Sequence, residues 1–305
     1  MARQFLHQGI RVFRLTADDG TTHAEVVPDF GGIVSSLFLP GPDGSPRECL
    51  FRHPWFWDPA TPETRGGLPL LFPVCGRLLA NNIPGLYHAH GRPFRLPIHG
   101  FAMRQPWEVA EANRPDALHL RLVDSDSTRR AYPFSFVLEL QYAVAPAALT
   151  CRLVVRNPGR EPLPYSAGFH PYFATPPAGG GKEQTLFSAR PCASLTYNAT
   201  KTDVTGKTAP PVLPLPVGGG QLDSQLLEMD ADRNTRIDFP DGFEIRQTAS
   251  ALFAFRQLHT LPDAPFFCDE PWMAPAGALN RTDAVRLLPA GQSDSGEIRI
   301  TTVRP

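Results

Sequence analysis

Along much of the chain, apolar and polar positions alternate with a period of two. Between Leu118 and Leu122 the three leucines fall on one side, and His119 and Arg121 fall on the other. The stretch 134–142 places Phe134, Phe136, Leu138, Leu140 and Tyr142 on one face, and segments 149–155, 242–248 and 297–303 repeat the pattern. Successive side chains of an extended strand point to opposite faces, so this period predicts half-buried strands. A 3.6-residue period is sustained nowhere, and the stretches that offer a short helix are those around Thr64 and over 222–230.

Composition sharpens this picture. The chain has 305 residues, of which 34 are proline and 25 glycine. Proline at about twice its usual frequency of roughly 5% removes backbone donors and forces turns, so many short strands are expected rather than long helices. Strands run from end to end with no linker between different textures. The expectation is therefore an all-β fold, one large antiparallel β-sandwich spanning 1–305 as a single domain. The glycine clusters at 176–184 and 216–223 fit connections between strands, and "PWFW" at 54–57 fits the core.

Charge is balanced, with 29 Lys and Arg against 30 Asp and Glu, which gives no footprint for nucleic acid. No apolar stretch reaches the roughly 20 residues that span a bilayer, and the N-terminus lacks a signal-type apolar region, so no membrane partner and a cytoplasmic location are expected. Five cysteines are scattered without a CxxC pair. Reduced, mostly buried thiols are expected, with neither a disulfide framework nor a zinc knuckle.

Several motifs carry little. "GGGKE" at 179–183 lacks the spacing and the hydroxyl residue of a phosphate loop. The calcium-loop imitation beginning at Asp230 has Thr235 where glycine belongs and Asp241 where a bidentate glutamate belongs. His88 and His90 could offer imidazoles to a metal, but no carboxylate follows them closely, and a hairpin is the simpler account.

His99, His170 and Glu270 are more informative together than singly. Either histidine alone fits a core residue bonded to backbone. An imidazole titrates near neutrality, and a carboxylate framed by Phe266, Phe267 and Trp272 would be desolvated and so made more basic. Aromatic faces beside amides, carboxylates and a guanidinium also suit a sugar, and Trp272 is a candidate platform for one. Arg77 follows the apolar stretch 68–76, so it sits at a sheet rim or reaches into a pocket. Asp269, the neighbour of Glu270, would point to the opposite face of a strand.

Five motifs, "LPLLFPVCGRL" (68–78), "LPIHGFAMRQPWEV" (96–109), "YPFSF" (132–136), "GFHPYF" (168–173) and "CDEPWMAPAGALN" (268–280), occur in an order that resembles the aldose 1-epimerase (galactose mutarotase-like) superfamily. The resemblance covers roughly residues 25–303 and is strongest to a bacterial branch related to hexose-6-phosphate mutarotase. It implies a β-sandwich with a carbohydrate cleft on one sheet, and interconversion of the α and β anomers of an aldohexose or hexose phosphate without cofactor or metal. By motif, His170 resembles the general acid that protonates the ring oxygen, and Glu270 the general base that takes the proton of the anomeric hydroxyl. His99 resembles a histidine that bonds near the ring oxygen, Arg77 an arginine that holds sugar hydroxyls, and Asp223 a substrate-binding aspartate. Met103 displaces the usual arginine to Arg104, and 75–82 departs from the galactose-type pattern.

Three other readings bear on the same residues. A sugar-binding or sugar-sensing protein would keep the aromatic and arginine contacts without needing an acid matched to a base. A glycosidase needs two carboxylates flanking the scissile bond, and a metal-dependent enzyme would rest on His88 and His90. A phosphosugar would call for cations at the cleft rim, for which Arg92, Arg95 and Arg104 are available.

Overall fold

The computed structural model describes residues 1–61, 63–281 and 284–303. Two large antiparallel sheets carry the alternating segments. In the nine-stranded sheet, Ala117–Val123, Val137–Ala145, Ala148–Arg156, Ser293–Thr301 and Glu244–Ala249 lie side by side. In the eight-stranded sheet, Leu226–Met229, Phe255–Thr260 and Phe266–Trp272 are neighbours, followed by Gly168–Phe169 and Leu70–Leu71, and Tyr172–Ala174 also pairs with Phe266–Trp272. A five-stranded meander precedes both, from Arg3–His7 to Pro46–Glu48.

The inward faces of the two large sheets share one core, with Leu138, Leu140 and Cys151 from the first meeting Leu227, Leu258 and Phe267 from the second. Each fully buried leucine or phenylalanine is worth roughly 1.5–3 kcal/mol, so a one-residue slip that turned these faces outward would be prohibitive. The architecture is the all-β antiparallel sandwich that the alternation predicts. No helix among the described residues is long and apolar enough to cross a membrane.

The helix expectations were misplaced. The α-helix among the described residues is Asp126–Ala131, opened by a capping box in which Ser125 and Thr128 exchange side chain-to-backbone hydrogen bonds. One and a half turns are too short to print a 3.6 period, and the cap carries the signal instead. Thr64 lies outside any helix, and 226–229 is a strand whose Leu226, Leu227 and Met229 are all buried, which erases the alternation. Of "PWFW", only Phe56 is core. Trp55 is exposed, stacked on His53 at 4.5 Å, and donates its indole N–H to the Thr64 carbonyl at 3.2 Å.

Other expectations match what is seen. His88 and His90 lie in a hairpin, Leu86–Ala89 against Arg92–Arg95, with His90 Nε2 2.8 Å from Glu161. Lys182 of the glycine-rich segment is buried, its ammonium donating to the carbonyls of Leu261 (2.6 Å) and Ala264 (2.5 Å), so it is not available to a phosphate. Cys49, Cys75, Cys151 and Cys268 are free and buried, and Cys192 is free and exposed.

Candidate active site

The strand Phe266–Trp272 lays out the site by simple alternation. Phe266, Cys268, Glu270 and Trp272 fall on one face, and Phe267 and Asp269 on the other. The strand continues through Pro271 to Trp272, so Glu270 stands within the strand rather than at its end. Pro271 is tolerated because on that flank the ladder with Tyr172–Ala174 covers 266–268 and the pairing with Gly168 resumes only at Trp272. Asp269 faces the other sheet, where its carboxylate accepts from Gln247 at 2.9 Å and from Thr235, with the Arg256 guanidinium 3.6 Å away.

Register then assembles the partners. Trp272 is paired with Gly168 and Cys268 with Tyr172, so His170 comes opposite Glu270. On the other flank, Gln257 pairs with Glu270 and His259 with Cys268. His170 Nε2 lies 3.4 Å from Glu270 Oε1, and the Trp272 indole donates to Glu270 Oε2 at 3.0 Å. Tyr172 stacks on His170 with centroids 4.5 Å apart and planes 2° from parallel, which fixes the imidazole plane.

Both members of this pair are buried, and burial decides their protonation. It pushes the Glu270 carboxyl well above the usual carboxylate range; the Trp272 N–H bond opposes this and the neighbouring Asp269 charge adds to it. It pushes His170 well below the usual imidazole range, helped by His99 and His259. Burial thus disfavours the charged form of each group, the imidazolium of His170 and the carboxylate of Glu270.

His99 stands over the same pocket, its ring 5.2 Å from that of His170 and 5.8 Å from that of Trp272. Its Nδ1 accepts the Gly76 amide at 3.1 Å, which leaves Nε2 as the protonated nitrogen. Burial, with the Arg104 and Arg77 charges behind it, lowers its pKa to about 3, so it acts as a fixed neutral donor. The backbone there is constrained: His99 has φ 63° and Gly100 φ 70°. A Cβ on Gly100 would stand 2.2 Å from the Phe72 carbonyl oxygen. Gly100→Ala is expected to destabilise the protein by about 2–4 kcal/mol, read as a lower urea midpoint, because positive φ and a backbone clash add.

The cleft holds about 250 Å³, below the roughly 300–1,000 Å³ that drug-sized ligands occupy and suited to a small molecule. Arg77, His99, His170, Glu270 and Trp272 all line it. Asp223 stands behind it: its carboxylate holds His259 Nδ1 at 2.8 Å, and His259 lines the cleft. Although burial pushes the other way, the Thr260 amide, Ser224 and His259 keep the Asp223 carboxyl below its usual range. Of the arginines considered for a phosphate, Arg95 lines a recess at the hairpin and Arg104 a separate recess beside Asp29 and Glu63, and Arg92 is on the hairpin strand. The cations at the cleft are instead Arg77 and Lys201. A larger groove of about 520 Å³ adjoins across Arg77 and Ile98, but leucine, proline and isoleucine make up most of its walls and no acid–base pair lines it among the described residues.

Sequence reasoning missed Gln257, His259, Tyr197 and Lys201. Tyr197 donates its hydroxyl to Gln257 Oε1 at 2.8 Å, and Lys201 donates to Ser224 Oγ. No alternation marks 255–260, where the apolar residues Phe255 and Leu258 stand three positions apart, so the pattern gave no strand signal for Gln257 and His259.

The aldose 1-epimerase family model matches residues 13–213, a span that contains Arg77, His99 and His170 and stops before Asp223, Glu270 and Trp272. The chromosomal protein LacX of Lactococcus lactis subsp. lactis is 26% identical over 132 residues, 42% of this chain and 43% of that relative's length. Among solved structures, the Slr1438 protein of Synechocystis sp. PCC 6803 has a TM-score of 0.80 at 27% identity, covering 96% of both chains. A galactose mutarotase-like protein of Clostridium acetobutylicum has a TM-score of 0.81 at 17% identity over 100% of this chain and 99% of that one, a likeness of fold.

Proposed function

Since the chain belongs to the aldose 1-epimerase family, we propose that it interconverts the α and β anomers of an aldohexose or hexose phosphate by ring opening between His170 and Glu270. The observation that carries this reading is the buried pair itself, an imidazole nitrogen and a carboxyl oxygen 3.4 Å apart on the floor of a cleft of sugar size.

In the opening direction His170 gives a proton to the ring oxygen while Glu270 takes one from the anomeric hydroxyl. The bond between C1 and the ring oxygen breaks, and C1 becomes an aldehyde. The pair starts as imidazolium and carboxylate and ends as imidazole and carboxylic acid, so its single proton has changed owner. That end state is the uncharged arrangement which burial favours. Sugar hydroxyls entering the cleft supply the hydrogen bonds that make the charged arrangement accessible. The aldehyde turns about C1–C2, and closure reverses both transfers. Two such proton transfers, each typically worth about 10²–10⁴-fold, suffice for a reaction that already proceeds in water.

The remaining groups hold the ring. His99 Nε2 donates towards the ring oxygen side, Trp272 offers an apolar face and limits water, and Arg77 and His259 reach hydroxyls. Asp223 acts through His259. Asp223→Asn is expected to raise KM about tenfold with kcat little changed, the equivalent of one weakened charge-assisted hydrogen bond.

The reading is tested by NMR or polarimetry of freshly dissolved α-glucose, α-galactose and α-glucose 6-phosphate. Acceleration of at least one is expected. Binding of one of these sugars with acceleration of none would favour a sensing role instead.

A further inference from the structure

Cys268 takes no part in the proton transfers, yet it is placed among the groups that do. It lies two residues before Glu270 on the same face of the strand, opposite Tyr172, whose ring covers His170. One ligand atom from each of Cys268, His170 and Glu270 lies within 4.8 Å of the other two. These residues are 0%, 4% and 1% exposed.

We propose that this sulfur, nitrogen and oxygen set is a binding site for a thiophilic divalent cation of the Zn²⁺ class, and that its occupation switches the acid/base pair off. Zinc takes thiolate, imidazole and carboxylate at about 2.0–2.3 Å in tetrahedral geometry, which puts its ligand atoms roughly 3.3–3.8 Å from one another. The nitrogen and oxygen are already at 3.4 Å. The sulfur closes the remaining gap by side-chain rotation of about 1 Å at most, and the fourth position opens on the cleft, where water or a sugar hydroxyl completes the shell. Binding displaces the protons of the Cys268 thiol and the Glu270 carboxyl to solvent, since only the ionised forms are ligands. With Glu270 and His170 committed to the cation, neither can pass a proton to a sugar. Occupation and anomer exchange are mutually exclusive.

The inhibition, though not the binding, rests on the acid/base reading above, so the two are measured apart. Co²⁺ is titrated into the full chain without sugar, and thiolate-to-cobalt charge-transfer absorption is recorded for wild type, Cys268→Ser, Cys268→Ala and Cys192→Ser. One equivalent of Co²⁺ is expected to raise the band in wild type and Cys192→Ser, and neither Cys268 variant is expected to show it. Zn²⁺ is then added to the anomer-exchange assay. Inhibition that a chelator reverses is expected for wild type, and Cys268→Ser should need more than about tenfold higher Zn²⁺ for the same effect, since loss of even a supporting group costs a metal site that much. No band in wild type, or a band that survives in both Cys268 variants and disappears in Cys192→Ser, would overturn the site. A rate that is unchanged or raised by Zn²⁺ at concentrations where the competing Co²⁺ band is displaced would overturn the switch.

Discussion

Replacing Glu270 by glutamine lowers the catalysed anomer-exchange rate by about 10²–10⁴-fold while the fold persists. The amide fills the same volume and can still accept the Trp272 indole N–H, but it cannot take a proton from the anomeric hydroxyl. The same variant changes the pH dependence of stability, and the sign follows from burial. Glu270 has a folded pKa raised above its unfolded value. Its contribution is therefore fully present below the ordinary carboxylate value of about 4.3 and is lost as pH rises through the folded pKa. Glutamine has no such loss. Urea midpoints at pH 5 and pH 8 are expected to show the variant gaining on wild type as pH rises. A variant with full exchange activity would remove Glu270 from the base role.

His170→Asn is expected to cost exchange a similar factor of about 10²–10⁴, and its pH signature runs the other way. Burial depresses the folded pKa of His170, so its contribution is fully present above about 6.5 and is lost as pH falls through the folded pKa. The asparagine variant gains on wild type as pH falls. Because the two groups pass one proton between them, the double variant should be scarcely slower than the slower single one, as for residues acting as a unit. Multiplying rate losses would mean two independent groups.

The architecture was legible because the strands that build the nine-stranded sheet have one dry and one wet face. Leu118, Leu120 and Leu122 are buried, and Arg121 is exposed. The strand Phe255–Thr260 inverts this rule. Arg256, fully buried, faces the core beside Asp269, and Gln257 and His259 face the cleft. A binary pattern with a charge on its inner face does not announce a strand, so His259 and Gln257 stayed hidden. Glu270 and His170 were visible because aromatic neighbours frame both, and the resemblance supplied their pairing. Its Asp223 carry-over did not foresee that the carboxylate would stand behind a second histidine. Pro271 does not end its strand, because a gap between ladders makes the missing N–H harmless. Trp55 misled because its indole is secured by a loop carbonyl rather than by burial.

The central claim is that His170 and Glu270 meet a single sugar ring from two sides. A crystal structure of Glu270→Gln soaked with the aldose that the wild-type protein turns over tests it most directly. The account predicts the ring oxygen within hydrogen-bond reach of His170 Nε2, about 2.6–3.2 Å, and the anomeric hydroxyl at the same range from the residue 270 side chain. A sugar seated in the leucine-lined groove, or one that touches residue 270 with its ring oxygen out of reach of His170, would contradict it.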